Sequence, residues 1–180
     1  MRVIAGRLGG RKLTAPRGLD TRPTSDRVRE ALFSALGDVS GARVLDLYAG
    51  TGALGVEALS RGAAHATFVE SARPALAALR ENLGALDLTS SARVVALPVA
   101  RATATLIGPF DLIFADPPYA ALAEVPVAIA ALRAAVAPGA RLVVEHASRD
   151  AAPEIADLTP RPSRAYGDTT VTIYDCAEAE

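Results

Sequence analysis

The residues Asp116, Pro117, Pro118 and Tyr119 follow one another directly after the short apolar run 110–115. Two consecutive prolines end a strand, because proline has no N–H for a sheet and restricts the residue before it. A carboxylate and a ring are therefore expected at the edge of a sheet. There the Asp116 carboxylate and the Pro117 carbonyl can accept the two hydrogens of an amino group, while Tyr119 stacks on the base that carries it. The alternative is an ordinary strand-ending turn with a surface aspartate.

A second motif lies upstream, where an apolar run over 43–48 leads into three glycines and then a helical pattern. Gly50, Gly52 and Gly55 have the G-x-G-x-x-G spacing in its strand–turn–helix context, which lets a ligand lie against bare backbone at a helix N-terminus. Glu70 ends the next apolar run, 18 residues after Gly52, where a carboxylate can accept hydrogen bonds from ribose hydroxyls. NAD and S-adenosylmethionine fit this pattern equally well, and a structural turn without a ligand is the alternative.

Asp46 lies inside the first apolar run, four residues before Gly50. A buried acid at that point can hold the glycine turn and face a sulfonium and an amino group, whereas its negative charge would repel a pyrophosphate. Asp46 therefore favours the methyl donor over NAD. An NAD-linked oxidoreductase is also disfavoured because no acid–base pair is recognisable beside the turn.

Strands and helices alternate from position 43 onward, which predicts an α/β fold with a parallel sheet and helices on both faces. The apolar patterns place strands near 43–48, 65–70, 92–97, 110–115 and 140–146, and helices near 53–61, 73–86 and 123–137. Residues 161–164 and 169–174 are expected to close the sheet as an antiparallel pair. Before this core, 2–5 and 12–15 predict a hairpin, followed by a helix capped by Thr24 or Ser25 and closed by Gly37.

Composition limits the class of protein. The 180 residues predict one domain, 1–180, with an N-terminal extension over 1–37 and a Rossmann-like core over 43–175. Hydrophobic content of 51% excludes a disordered chain, and no apolar run reaches the ~18 residues of a membrane span. The single cysteine, Cys176, excludes an internal disulfide, and no metal-ligand cluster is visible. A cytoplasmic monomer without a signal peptide is expected.

The formal net charge of −1 hides an uneven distribution. Residues 1–30 hold eight basic and three acidic residues, so the rest of the chain is acidic. A basic arm on a mildly acidic body suits a protein whose one edge meets phosphates. A solvated basic face without a partner is the alternative.

Together, V-L-D-x-x-x-G-x-G at 44–52, the acid at 70 and D-P-P-Y at 116–119 resemble class I S-adenosylmethionine-dependent methyltransferases that act on exocyclic amino nitrogens. The stretches 1–7, 10–13 and 58–63, and above all R-P-T-x-D-R-V-R-E at 22–30, narrow the resemblance to the bacterial RsmD family. It extends from Met1 to about Tyr174. It implies methylation of the N2 amino group of one guanine in 16S rRNA, within the 30S subunit or an assembly intermediate, with S-adenosyl-L-methionine as cofactor and no metal.

The resemblance also implies the fold and the site. The expected fold is the Rossmann-like class I methyltransferase fold, a mostly parallel seven-stranded sheet with helices on both faces, preceded by a β-hairpin and a helix. The expected catalytic residues are Asp116, Pro117, Pro118 and Tyr119. The expected cofactor-binding residues are Asp46, Tyr48, Ala49, Gly50, Thr51, Gly52, Gly55, Glu70 and Ser71. The expected RNA-binding residues are Arg7, Arg11, Lys12, Arg22, Thr24, Asp26, Arg27 and Arg29, although any of the helix charges could instead pair at i,i+3 or i,i+4.

One stretch departs from the family pattern. Relatives usually carry an acid after the third strand that reaches the adenine of the cofactor, but 96–101 contains none. Backbone groups and apolar packing are expected to hold the adenine instead. Two alternatives remain: a DNA adenine-N6 or cytosine-N4 methyltransferase, which would lack a separate target-recognition domain here, and a non-catalytic ribosome-assembly module. His65 and His146 are expected to be structural.

Overall fold

The computed structural model describes residues 1–16 and 26–177. Its α-helices are α1 Asp26–Leu36, α2 Ala53–Ser60, α3 Arg73–Ala85, α4 Val99–Ala102 and α5 Val125–Ala131. Its strands are β1 Arg43–Leu47, β2 His65–Val69, β3 Ala92–Val95, β4 Phe110–Ala115, β5 Val136–Ala147, β6 Leu158–Pro160, β7 Arg164–Tyr166 and β8 Thr169–Cys176. None of the helices in these ranges is both long and apolar enough to cross a membrane.

The strands form one sheet in the order β3-β2-β1-β4-β5-β8-β6, with β7 also paired to β8. Strands β1 to β5 are parallel, and β8 runs antiparallel to β5. Because β6 and β7 are two short pieces beside the same strand, the sheet is seven strands wide. The predicted Rossmann-like α/β fold is confirmed. The chain moves one way from β1 to β3 and the other way from β4 to β5, so the strand order reverses between β1 and β4.

The central strands are buried on both faces, as their nearly continuous apolar runs predict. In β1, Arg43 is exposed and the next four residues are buried. Alternate residues point to opposite faces, so Val44 joins a core cluster with Phe33 of α1, whereas Leu45 joins a second cluster with Ile129 of α5. Helices α1, α2 and α3 therefore cover one face and α4 and α5 the other.

The N-terminal segment, residues 1–16, is less regular than the predicted hairpin. A single antiparallel bridge joins Arg2 and Lys12, and a short 3-10 turn covers Gly6–Leu8. The reason is that the N–H groups of Ile4 and Ala5 are donated to the buried carboxylate of Glu57 and not to a second strand. Gly37 follows α1 with a φ of +72°, as the predicted closing residue should, but the predicted caps Thr24 and Ser25 lie outside the described residues.

Three predicted boundaries in the C-terminal half were wrong. Strand β5 begins at Val136 and not at 140, and its pairing with β4 has an irregularity. The helix expected over 123–137 is the short α5 between two 3-10 turns. Residues 161–163 separate β6 from β7, because Pro160 and Pro162 have no N–H to donate and so interrupt the strand expected there.

Candidate active site

The glycine turn and the Asp-Pro-Pro-Tyr segment leave the sheet from neighbouring strands. Strands β1 and β4 are paired in parallel with Leu47 opposite Ala115. The residues that follow, Tyr48 and Asp116, therefore leave the same edge from strands that lie about 4.8 Å apart. This edge holds the carboxyl ends of the strands at the point where the strand order reverses, which is where open α/β sheets bind their ligands.

The glycine turn has a backbone that other residues would not adopt easily. Gly50 and Gly52 have φ values of +56° and +82°, and the N–H of Gly52 donates to the Ala49 carbonyl at 2.7 Å. The turn leads directly into α2, in which a Cβ on Gly55 would lie 2.3 Å from Phe68 Cε1. Glycine at these positions therefore permits the turn and the close packing of α2 on β2.

Asp46 is buried beneath this turn, with 2% of its surface exposed. Its Oδ2 accepts the N–H of Gly55 at 2.9 Å and so holds the start of α2. Burial raises the pKa of Asp46 to about 8, the charge of Glu70 adds to the rise, and the Gly55 N–H opposes it. A cation bound next to this carboxyl would stabilise its ionised form.

Glu70 follows β2 and binds three backbone amides. Its Oε2 accepts the N–H of Gly50 at 2.8 Å, and its Oε1 accepts those of Ser71 and Ala72 at 2.7 Å each. The carboxylate thus joins the glycine turn to the start of α3. Since a carboxylate can accept about four hydrogen bonds, the expected ribose contact remains a prediction compatible with this geometry.

Tyr48 is the non-glycine residue at the entrance of the turn. Its φ of +58° lies in the left-handed region, which is strained for a residue with a Cβ. Its hydroxyl is buried without a hydrogen-bond partner, and burial together with the charge of Glu124 raises its pKa. The next residue, Ala49, donates its N–H to the Val69 carbonyl of β2 at 2.9 Å. Strain at this entrance is of the kind that ligand-binding turns retain.

The Asp-Pro-Pro-Tyr segment forms the rim of the edge. Asp116 is partly buried, Pro117 is buried and Pro118 is exposed. Pro118 accepts the N–H of Ala121 at 2.7 Å and so begins the 3-10 turn Tyr119–Glu124. The Tyr119 side chain is 44% exposed. A carboxylate and a ring thus stand at the rim, as the sequence predicts.

Arg149 was missed by the sequence reasoning. It lies on the turn after β5, and its guanidinium carbon is 5.8 Å from the centre of the Tyr119 ring. The sequence could have indicated the position of Arg149, because β4 and β5 are consecutive parallel strands and the residues that follow them must lie at the same edge of the sheet.

Four basic residues of the N-terminal segment are exposed: Arg2, which pairs with Asp26, and Arg7, Arg11 and Lys12. The Arg11 side chain donates a hydrogen bond of 2.8 Å to the carbonyl of Ala85 at the end of α3, and it remains at the surface. Arg27 is exposed on α1. Arg7, Arg11, Lys12 and Arg27 can meet phosphates, whereas Arg22 and Thr24 lie outside the described residues.

Arg29 is buried, contrary to the RNA-binding position expected from the sequence. Its side chain is 0% exposed; it donates to Asp26 at 2.8 Å and to the carbonyl of Arg2. Burial lowers its pKa, against the opposing charges of Asp26 and Glu57. Asp26 also binds Arg2 at 3.1 Å. Arg29 therefore joins α1 to the N-terminal segment and does not face a phosphate, which is the i,i+3 pairing left open as the alternative.

The segment after β3 has no acid, and its first residues pack on the core. The N–H of Leu97 donates to the Val95 carbonyl at 3.0 Å, and the Leu97 side chain lies against the apolar cluster under α5. Pro98 then precedes the short helix α4. The prediction of an apolar adenine site is compatible with this placement and stays a prediction.

The other reactive side chains have structural surroundings. His146 is buried, with Nε2 3.1 Å from the Thr172 hydroxyl, and His65 is partly buried at the start of β2. Burial raises the pKa of the Cys176 thiol, which disfavours the reactive thiolate. Within 1–16 and 26–177, no group of three His, Cys, Asp or Glu side chains is arranged to hold a metal ion.

A cleft of about 220 Å³ lies on the α1 face of the sheet, between α1 and the strands β7 and β8. It is lined by Ala31 and Ala35 of α1 and by Arg164 and Tyr166 of β7, among others. None of the predicted catalytic or cofactor-binding residues lines it. We therefore place the site at the β1–β4 edge, where the sheet topology and the buried carboxyl coincide.

Comparison with known proteins identifies the family of the chain. The family described as Conserved hypothetical protein 95 matches residues 1–175. The chain belongs to this family, the RsmD family. YlbH of Bacillus subtilis, whose name describes a candidate rRNA methyltransferase, is 40% identical over 181 residues, which cover 97% of this chain and 98% of YlbH.

Two other relatives are informative. Ribosomal RNA small subunit methyltransferase D of Escherichia coli is 45% identical over 120 residues, which cover 66% of this chain and 60% of that protein. The solved structure of yhhF from Escherichia coli superposes with a TM-score of 0.86 at 36% identity and covers 99% of both chains. The resemblance to the RsmD family is thus confirmed over nearly the whole chain.

Proposed function

We propose that this RsmD-family protein transfers the methyl group of S-adenosylmethionine to the N2 amino group of a guanine in 16S rRNA. One observation carries the proposal: the glycine turn and the Asp-Pro-Pro-Tyr segment follow paired strands at one edge of the sheet. Relatives named for methylation of small-subunit rRNA support RNA as the substrate. A cytoplasmic site of action follows from that substrate.

The residues around the glycine turn fit the cofactor. The bare backbone of Gly50 and Gly52 lets a ligand approach closely, and Glu70, which binds the Gly50 N–H, would also accept hydrogen bonds from the ribose hydroxyls. The raised pKa of buried Asp46 indicates a carboxyl that would gain from a nearby cation. When bound, S-adenosylmethionine supplies a methyl group on a positively charged sulfur.

The rim residues would orient the base. The exocyclic nitrogen of guanine is a weak nucleophile because its lone pair is delocalised into the purine ring. Hydrogen bonds from its two hydrogens to the Asp116 carboxylate and the Pro117 carbonyl would turn the lone pair toward the methyl group. Tyr119 would stack on the base and fix its plane. Most of the rate enhancement would come from this proximity and alignment.

Proton removal makes little demand on Asp116. The nitrogen becomes positively charged only after the methyl group has been transferred, and its proton is then acidic. A carboxylate of ordinary basicity can accept it at either Oδ atom. Asp116 would thus serve first as a hydrogen-bond acceptor and then as the proton acceptor.

The guanine must leave its stack to reach this rim. An RNA loop makes this inexpensive, because its bases are loosely stacked. The exposed side chains of Arg7, Arg11, Lys12 and Arg27 would bind the phosphates on either side. Such contacts position the RNA without reading its sequence.

The direct test uses labelled S-adenosylmethionine with four substrates: 30S particles, assembly intermediates, naked 16S rRNA and duplex DNA. We expect label in the small-subunit substrate, identified as N2-methylguanine by mass spectrometry, and none with the Asp116→Ala variant. Label in duplex DNA would instead support a DNA amino methyltransferase. Binding to ribosomal particles without any transfer would support an assembly module.

A further inference from the structure

The N-terminal segment, residues 1–16, is attached to the core through buried polar side chains. Glu57 of α2 accepts the N–H groups of Ile4 and Ala5 at 2.7 and 3.0 Å. Ser60 of α2 accepts the N–H of Leu8 at 3.0 Å and donates to the Ala5 carbonyl. Hydrogen bonds of this kind are directional, so they fix the path of the segment and not merely its proximity.

Asn82 of α3 provides the attachment at the other end of the segment. Its Oδ1 accepts the N–H of Thr14 at 2.7 Å, and its Nδ2 donates to the Thr14 carbonyl at 3.0 Å. Its Nδ2 also donates to the Thr51 carbonyl at 3.0 Å. The side chain is 2% exposed, and both N–H groups of the amide are used, one on each partner.

Thr51 stands between Gly50 and Gly52, in the middle of the glycine turn. A single buried amide therefore touches the proposed cofactor turn and the segment that carries Arg7, Arg11 and Lys12. Its three hydrogen bonds join the glycine turn directly to residues 1–16. The position of Thr51 and the position of Thr14 thus depend on the same side chain.

We propose that Asn82 is a positioning residue that couples the glycine turn to the N-terminal segment. Filling the cofactor site fixes the Thr51 carbonyl, which fixes the Asn82 amide and so orders the backbone at Thr14. The basic segment is then held in one path before RNA arrives, so cofactor binding precedes productive RNA binding. By linkage, RNA on the segment tightens cofactor binding by the same factor. The inference rests on the proposed cofactor.

A buried asparagine that is only structural would behave differently. Its loss would lower the stability of the protein and loosen the segment, but the cofactor and the segment would remain independent of each other. Coupling free energies between sites usually correspond to changes of about 5- to 150-fold in affinity. Measuring both sites in the same variants separates the two roles.

The experiment uses the full chain with Asn82→Ala and Asn82→Asp, and with Ser60→Ala as the matched control. Asn82→Asp is nearly isosteric and keeps an acceptor for the Thr14 N–H, but it loses both donors; it carries the test if the alanine variant does not fold. Ser60→Ala loosens the same segment at Leu8 and Ala5 without touching the glycine turn.

Calorimetry gives the affinity for S-adenosylhomocysteine, and hydrogen exchange gives the protection of residues 1–16 with and without it. In the wild type we expect S-adenosylhomocysteine to slow exchange of the Thr14 amide. The Asn82 variants should lose this response and bind the ligand about 5- to 150-fold more weakly, whereas Ser60→Ala should keep both. RNA affinity should increase with S-adenosylhomocysteine in the wild type and not in the Asn82 variants.

Two results would overturn the coupling. The first is hydrogen exchange at Thr14 that does not change when the ligand binds the wild type. The second is an equal loss of affinity for S-adenosylhomocysteine in the Ser60 and Asn82 variants. The proposed function fails separately, if neither S-adenosylmethionine nor S-adenosylhomocysteine binds the wild type at all. Ligand binding without a response at Thr14 removes only the role of Asn82.

Discussion

Around the glycine turn, carboxylates already hold the backbone: Asp46 accepts the amide of Gly55, and Glu70 accepts that of Gly50. At the rim, by contrast, Pro118 and Tyr119 are exposed to solvent. Carboxylates thus hold parts of the cofactor side before any ligand binds, whereas the base side presents exposed side chains.

The contrast matches what each side would bind. A cofactor is the same small molecule in every turnover, so a partly preorganised pocket lowers the entropic cost of binding it and leaves only part of the turn for the ligand to fix. A guanine arrives as part of a large RNA whose phosphates supply most of the affinity. The rim then needs only an acceptor and a stacking surface.

The largest effect is expected at the rim, from Asp116→Ala. We expect methyl transfer to fall by about 10³-fold, because the variant loses the acceptor that orients the amino group. Affinity for S-adenosylmethionine should change little, since the glycine turn is intact. Single-turnover assays and calorimetry measure the two quantities. Full activity would remove Asp116 from the chemistry.

Asp46→Asn tests the buried carboxyl through pH. The pKa of Asp46, raised to about 8, lies above that of the unfolded chain, so the native state holds a proton that the unfolded state releases. This contribution to stability is complete below about pH 4 and is lost as the pH rises through 8, at about 1.4 kcal/mol per pH unit. Asparagine can still accept the Gly55 N–H but does not titrate.

We therefore expect the wild type to lose stability relative to Asp46→Asn between pH 5 and pH 8. Urea unfolding of both proteins across that range measures the difference, in which the other titrating groups largely cancel. Parallel curves would mean that Asp46 is ionised in the folded protein throughout.

Gly55→Ala tests the packing that holds the turn. Its Cβ would lie 2.3 Å from the buried Phe68 ring, so we expect a loss of about 1–3 kcal/mol in stability and weaker cofactor binding. Gly84→Ala is the matched control, because Gly84 lies in α3 with no atom within 4 Å of an added Cβ. For Gly84→Ala, the higher helix propensity of alanine predicts a gain of up to about 1 kcal/mol in the free energy of unfolding. Equal effects in thermal unfolding would contradict the packing argument.

Tyr119 distinguishes stacking from hydrogen bonding at the rim. Tyr119→Phe keeps the ring and should keep most of the activity. Tyr119→Ala should raise KM for RNA by roughly five- to 150-fold, corresponding to about 1–3 kcal/mol of base stacking. If the phenylalanine variant were as impaired as the alanine variant, the hydroxyl and not the ring would be responsible.

The smallest effect is expected from Arg149→Ala. An exposed guanidinium over a tyrosine ring contributes about 0.5–1 kcal/mol. If Arg149 also binds a phosphate, the salt dependence of RNA binding should decrease by about one unit of slope. Exposed Arg93 on the far edge strand is the control, for which no change in slope is expected.

Local patterns were sufficient for the two motifs and the alternating core. A proline pair that ends a strand and three glycines that open a helix depend on a few neighbouring residues, so the places of Asp116 and Gly55 in the fold could be predicted. Arg29 was misplaced because its burial depends on Arg2, 27 residues away. Nothing local distinguishes an arginine under a folded segment from one on a helix surface.

Polar residues at inward-facing helix positions could have indicated where the N-terminal segment is attached. Glu57 and Asn82 interrupt otherwise apolar helical faces, between Leu54 and Leu59 and between Leu79 and Leu83. Buried polar groups require partners, so each of these residues could have indicated an attachment point. The identity of the attached segment could not follow, since Ile4 and Thr14 contribute backbone groups that every residue possesses.

The prolines that split the last edge of the sheet have a consequence for solubility. An unbroken strand there would offer a row of free N–H and C=O groups to another molecule. Pro160 and Pro162 remove two donors, and the exposed Arg164 adds charge beside them. The protein thereby discourages edge-to-edge association, independently of any reaction at the ends of the central strands β1 and β4.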